Sequence, residues 1–423
     1  MSAPTSGRPT FPPYRSRPPD APVALEGVRV VDFSRVLAGP YCTQMLADLG
    51  AEVIKIEEIG TGDQIRNLDP RIGDTSTYFW SLNRNKRSVA VDLGSDEGRA
   101  VVLDLIAHAD VVVENYTTRV MQKFRLDYPS IGAQFPRLVY CSISGYGRTG
   151  PLANVPAYDS MIAAESGQLS FNCAPGERPV VNSVPIIDFM ASMNATIGIL
   201  SALRARDRLG RGQFIDVAMF DSAIACLAYR GTDYFAAGVN PEPTGRVSKT
   251  SAPGGEFDVV DGSIWVMITS DKMFERLARD VFGRPDLLAD PRFATHEQRH
   301  RNLAAVNAAV QDLVRDRPRK HWVDAMRAAG IPVGAVRTVA EAYHAEEAAA
   351  RGVMSSLPHP AFGPVPNISS VFRHMSLTPA VDPVLAPPLG AHTGQVLRDV
   401  AGYDADRIAA LADRGVIGLA ASP

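Results

Sequence analysis

Cysteine is scarce in this chain. Its 423 residues include four, Cys42, Cys141, Cys173 and Cys226, and no two stand in a C-x-x-C spacing. Neither a disulfide framework nor a zinc site is indicated, and a reducing cytoplasm fits. The histidines are not read as metal ligands, and His108, His321 and His344 fall on helix-like segments where a structural role is expected. Charge of one sign is also missing. With 43 basic against 46 acidic residues the net charge is −3, which offers no general attraction to nucleic acid or an anionic membrane. No apolar run is long enough to predict a membrane span; the best, after Asp188, is interrupted by Asn194. Residues 1–23 are rich in Pro and Ser, lack the apolar core of a secretory signal, and read as a disordered tail.

What remains is a two-domain length with strands and helices alternating. The stretch from Leu25 to Glu57 reads as strand, loop, helix and strand: Val28–Phe33, the turn Ser34–Pro40, a helix through Leu49, then Glu52–Ile56. This is a βαβ unit. Its loop, SRVLAGP, has one glycine in place of G-x-G-x-x-G, so Glu57 is not read as the acid of an NAD site. The basic cluster Arg84, Lys86 and Arg87 is either a solvated turn or a phosphate-steering patch. Further strands are expected at Val111–Glu114 and Arg137–Ser144, the latter leading into the glycine-rich loop Gly145–Gly150.

One junction organises the rest. Val180, Val181, Val184, Ile186 and Ile187 suggest a buried strand, and from Phe189 apolar residues recur at helical spacing. Asp188 stands between them. By position it is either an N-cap or a carboxylate nucleophile at the ligand-binding rim of an open α/β sheet. Later, Thr232–Thr250 is loop-rich, Phe257–Thr269 predicts a hairpin turning at Asp261-Gly262, and helices are expected at Asp271–Phe282 and Leu303–Ala329. Short strands and a terminal helix follow a Pro-rich passage.

The blocks LEGVRVVDFSRVLAGPYCTQMLADLGAEVIKIE, NRNKRSVAVDL, DVVVENY, SISGYG, PAYD, GRGQFIDVAMFDS and PPLGAHTGQVLRD, in this order around Asp188, resemble the family III CoA-transferases, which include acyl-CoA racemases. The resemblance implies an α/β fold: a Rossmann-like parallel-sheet large domain, a smaller α+β domain, and an interlocked-ring homodimer. The corresponding boundaries are a large CoA-binding domain at 24–225, a linker at 226–250, a small domain at 251–340, and at 341–423 a second linker returning to the large domain. It also implies that Asp188 moves CoA from an acyl-CoA donor to a carboxylic acid through anhydride and aspartyl-CoA thioester intermediates. Tyr158 would lie beside the thioester, and Gly254 and Gly255 would belong to a mobile loop closing over the nucleophile. CoA, a substrate and not a tightly bound cofactor, would meet Leu37, Ala38, Val91, Asp92, Leu93, Gly94, Asn115, Tyr116, Thr117 and Lys123. Leu37, Glu58, Thr117 and Thr118 depart from the formyl-CoA transferase pattern. The alternative activity is 2-methylacyl-CoA racemisation, but that branch carries His where Tyr158 stands, and a phenol of reference pKa about 10 poorly replaces an imidazole near 6.5 as a base. The implied partners are an acyl-CoA and a small acid, with no nucleic acid or membrane.

Overall fold

A computed structural model describes residues 9–73 and 75–420. The first eight residues of the expected tail lie outside that range. The described chain forms two compact units: a larger one running to Gln168, then 182–232 and from Glu346 onward, and a smaller one of 169–181 and 233–345.

The larger unit opens with β1 (Arg29–Asp32), α1 (Ala38–Asp48), β2 (Glu52–Glu57), β3 (Lys86–Val91), α2 (Asp96–Ile106), β4 (Val111–Glu114) and β5 (Val139–Ser144). It continues with α3 (Asp159–Glu165), α4 (Ile186–Leu209), β6 (Phe214–Ala218) and most of α5 (Met219–Ala237), whose residues from Asp233 on count with the smaller unit. The strand order is β3-β2-β1-β4-β5-β6, all parallel, with Val31 paired to Ile54 on one side and Val112 on the other. Unbroken apolar runs such as Val111–Val113 suit strands buried on both faces. This order is that of a Rossmann sheet, and it reverses direction between β1 and β4, where such sheets open a crevice.

The smaller unit contains the hairpin β7 (Gly254–Val259) and β8 (Gly262–Met267), helices α6 (Leu303–Val314) and α7 (Arg319–Ala328), and β9 (Val333–Ala335), which pairs with β8. Phe257, Ile264, Val266, Phe274, Val310 and Trp322 are in its core. Buried Arg299 is satisfied by the carbonyls of Ala252 and Phe293 and the Asp271 carboxylate.

The chain then adds to the larger unit a hairpin, β10 (Met354–His359) and β11 (Gly363–Ile368), helices α8 (Thr393–Asp399) and α9 (Ala405–Asp413), and β12 (Ile417–Gly418). β12 runs antiparallel along β3, with Ile417 opposite Val91. Val396, Leu397, Ile408 and Leu411 share one core with Val31, Ile54 and Leu105.

Several expectations are corrected. Residues 9–23 are not free: Pro12 carbonyl accepts from Ser356 N–H (2.8 Å), Tyr14 N–H donates to Ser356 carbonyl (3.0 Å), and Arg17 N–H donates to Asp382 (2.9 Å). The edge of a two-stranded hairpin has unpaired backbone groups, and this segment meets them. The basic cluster is neither a solvated turn nor a phosphate site, because Arg84 pairs with Asp48, Lys86 with Asp32 and Arg87 with Glu52. The 226–250 linker begins instead as the second half of α5, which kinks at Ala228. Glu57 is engaged by Arg66 and Ser88.

No strand precedes Asp188. Val180, Val181 and Val184 are exposed, Pro179 and Pro185 lack N–H donors for a ladder, and α4 begins at Ile186. Asp188 is therefore inside the first helical turn, not at the N-cap. At 24 residues α4 is long and apolar enough to cross a membrane by length and composition, a test that a buried core helix also passes. Its Ile187, Ala191, Ala195, Ile199 and Ala202 are buried, and it packs on α1, β5 and β6.

Candidate active site

The crevice at the β1/β4 reversal is occupied by a pocket of about 270 Å³. Its walls come from the loops after β1 (Arg35–Ala38), β4 (Asn115–Thr117) and β5 (Ser144–Tyr146), and its lining includes Tyr158 and Asp188. Parallel topology explains this convergence, since every βα loop leaves the same edge of the sheet.

Two loops are locked together. Asn115 accepts from the backbone N–H of Arg35 and donates to its carbonyl, while the Arg35 guanidinium lies 4.4 Å over the Tyr116 ring. Val36 adopts φ +67°, a rare conformation for a β-branched residue, and its N–H faces both oxygens of Asp63 at 3.3 Å. Asp63 is itself paired with fully buried Lys55 at 3.1 Å. In the loop after β5 Arg148 is committed to Glu114 (2.6 Å), the Tyr116 carbonyl (2.8 Å) and Thr118 (3.0 Å). Gly145 is required by close packing: a Cβ there would stand 2.6 Å from that of Ala157.

Asp188 differs from the other acids here. Among the described residues none donates a hydrogen bond to its carboxylate, whose pKa is raised to about 7 by burial and then by the nearby Asp159 charge. The Asp159 carboxylate instead accepts from the backbone N–H groups of Ile187 (2.8 Å) and Asp188 (3.2 Å). Tyr78 stands close enough to feel the same charge, its phenol pushed up to about 12 by burial, Asp188 and Asp63.

Of the residues singled out from the sequence, the structure brings Leu37, Ala38, Asn115, Tyr116, Thr117, Tyr158 and Asp188 to this one pocket. The others stand elsewhere. Val91 pairs with β12, Asp92 accepts from Gly94 N–H in the turn before α2, Leu93 packs against the core, and Lys123 is exposed on the short helix Thr118–Phe124. None of these five lines the pocket. Gly254 and Gly255 belong to the smaller unit, where Gly254 N–H donates to Asn307 and Gly255 has φ +135° with no room for a Cβ beside the Arg246 carbonyl. Sequence reasoning gave no role to Arg35, Arg148, Tyr78 or Asp159. Only Asp159 had a local signal, as an acid next to Tyr158. No cluster capable of holding a metal ion occurs among the described residues.

The chain matches the family model "CoA-transferase family III" over residues 25–393. It is 38% identical to an acetyl-CoA:oxalate CoA-transferase of Acetobacter aceti over 331 residues, 78% of this chain and 85% of that protein. It is 32% identical to the Mus musculus succinyl-CoA:glutarate CoA-transferase over 401 residues, 94% and 91% of the respective chains. The crystal structure of a CaiB/BaiF family protein from Brucella suis superimposes with a TM-score of 0.81 at 34% identity, covering 89% of this chain and 99% of that one. Carrying the parallel sheet and switch-point pocket described above, the chain belongs to CoA-transferase family III.

Proposed function

We propose that this CoA-transferase works through Asp188, with an acyl-CoA placing its thioester in the switch-point pocket. The observation that carries this reading is the Asp188 carboxylate itself. It lines the pocket, accepts no hydrogen bond from a described residue, and has an elevated proton affinity. A desolvated carboxylate is a stronger nucleophile than a solvated one, and water kept from the site spares an anhydride.

The steps balance as follows. The Asp188 carboxylate attacks the donor's thioester carbonyl and expels CoA thiolate, leaving an acyl-aspartyl anhydride. Thiolate attack on the aspartyl carbonyl then forms aspartyl-CoA and releases the donor acid. The acceptor carboxylate displaces thiolate from aspartyl-CoA, giving a second anhydride, and thiolate takes the acceptor acyl group to restore Asp188. Arg35 is the pocket cation placed to receive an anionic group, since Arg148 is already paired with Glu114. In this reading Tyr158, which lines the same pocket, lies beside the thioester.

The relatives are named for acetyl-CoA or succinyl-CoA and for oxalate or glutarate. A short-chain acyl-CoA and a small carboxylic acid are accordingly the proposed substrate classes. CoA enters as substrate, the assembly is taken as the interlocked homodimer of the resemblance, and the compartment as cytoplasmic. The racemase alternative is not favoured by these CoA-transferase relatives.

Intact and peptide mass spectrometry after incubation with acetyl-CoA or succinyl-CoA and hydroxylamine tests the mechanism. A hydroxamate on Asp188, absent in Asp188→Ala, is the expected result; CoA binding without modification of Asp188 by either donor would overturn it.

A further inference from the structure

We propose that Asp159 is a positioning residue for the nucleophile: its carboxylate caps α4 from a neighbouring helix and holds Asp188 at the pocket without lending it a hydrogen bond. This rests on the reading of Asp188 as the nucleophile.

Helix α4 has no cap of its own. Pro185 occupies the N-cap position and makes no side-chain capping bond, so the first N–H groups of the helix need acceptors from elsewhere. One oxygen of Asp159 meets two of them, Ile187 N–H at 2.8 Å and Asp188 N–H at 3.2 Å. A single step along the chain separates two tasks at the start of α3. Tyr158, 58% exposed, lines the pocket, while Asp159, 9% exposed, turns to α4.

This cap has an electrostatic consequence. An acid in the first turn of a helix is ordinarily stabilised as an anion by the free N–H groups and the positive end of the dipole. Here Asp159 takes that pole and sets a second negative charge beside Asp188. The other titratable or charged groups around Asp188 do not offset it. They are the phenols of Tyr116, Tyr146 and Tyr158 in the lining and of Tyr78, Arg148, which is paired with Glu114, and Arg35, whose guanidinium is held over the Tyr116 ring; burial and Asp159 are the causes that act on Asp188. The raised proton affinity of Asp188 agrees, with Asp159 the charge responsible after burial. Asp188 thus holds a fixed place and sheds no donor before attack, at the cost of being protonated in acid.

The test compares Asp159→Asn, which keeps an acceptor oxygen but loses the charge, with Asp159→Ala, which loses both. Steady-state kinetics with succinyl-CoA and glutarate, and with acetyl-CoA and oxalate, are followed against pH. Carbodiimide labelling of Asp188 against pH, read by peptide mass spectrometry without substrate, is followed in parallel. Asp159→Asn is expected to move the acid limb of kcat and the labelling midpoint down by about one pH unit with KM unchanged. Asp159→Ala should lose kcat at every pH, because the helix end frays. An unmoved labelling midpoint in Asp159→Asn would overturn the electrostatic part, and full kcat in Asp159→Ala the positioning part. The labelling midpoint needs no turnover. If it moves while no Asp188 adduct forms in the wild type, the nucleophile reading is what fails, and Asp159 is then a helix cap with no bearing on catalysis.

Discussion

Asn115 holds Arg35 by both ends of its peptide: Oδ1 accepts from the Arg35 N–H at 2.8 Å and Nδ2 donates to the Arg35 carbonyl at 2.7 Å. The clamp joins the loops after β1 and β4 across the reversal of the sheet, next to Val36 at φ +67°. A non-glycine residue in that region costs on the order of 1–3 kcal/mol and persists only where its surroundings hold it. Asn115→Ala removes two bonds and leaves part-buried backbone groups unpaired, so stability should fall by about 1–3 kcal/mol. KM for acyl-CoA should rise more than kcat falls, since the loop binds and does not react. Urea unfolding and steady-state kinetics on the same preparation check both statements.

Asp188 makes stability depend on pH in a direction opposite to that of most acids. Its folded pKa, raised to about 7 by burial and Asp159, exceeds the ordinary aspartate value of 3.8. Between these values the folded state binds more protons than the unfolded one, so Asp188 lowers stability progressively as pH rises from about 4 to about 7. Asp188→Asn removes this effect. Relative to wild type it should gain stability between pH 5 and pH 8, by at most about 3 kcal/mol. Denaturant unfolding of both proteins at the two pH values measures the difference, and a wild type that gains on the variant as pH rises would contradict it.

Lys86 and Asp32 are both fully shielded from solvent and meet at 3.1 Å. Burial would raise the Asp32 pKa, but Lys86, Lys55 and the hydroxyls of Ser34 and Thr43 outweigh it and hold Asp32 ionised. Burial outweighs the same pairing at Lys86, whose pKa is lowered to about 8. Removing one partner strands the other charge, so Lys86→Met should cost about 3–5 kcal/mol. Adding Asp32→Asn should recover part of that loss, because the two sites share one network. A double-mutant cycle in urea tests the coupling; additive losses would contradict it.

The βαβ opening, the strand at Val111–Glu114, the strand read at Arg137–Ser144 and found at Val139–Ser144, and the β7–β8 hairpin were legible because local rules govern them: apolar runs for buried strands, glycine for turns, a period of 3.6 for helices. The stretch before Asp188 misled for a definite reason. Val180, Val181 and Val184 have strand composition but no partner strand, and the prolines flanking them block a ladder. The basic residues misled similarly, since Asp48, Asp32 and Glu52, which neutralise Arg84, Lys86 and Arg87, are distant in sequence.

The sequence by itself determined the family, the alternation of strands and helices, and the candidacy of Asp188, because these lie in residue order and local chemistry. Tertiary structure alone decided which candidates meet. Leu37, Ala38, Asn115, Tyr116 and Thr117 line one pocket with Tyr158 and Asp188, whereas Val91–Gly94 and Lys123 do not. It also decided the state of Asp188, since the acid that caps its helix and raises its proton affinity comes from a different helix. Burial and charge proximity depend on distances in space, and a carboxylate's protonation follows from those distances rather than from its neighbours along the chain.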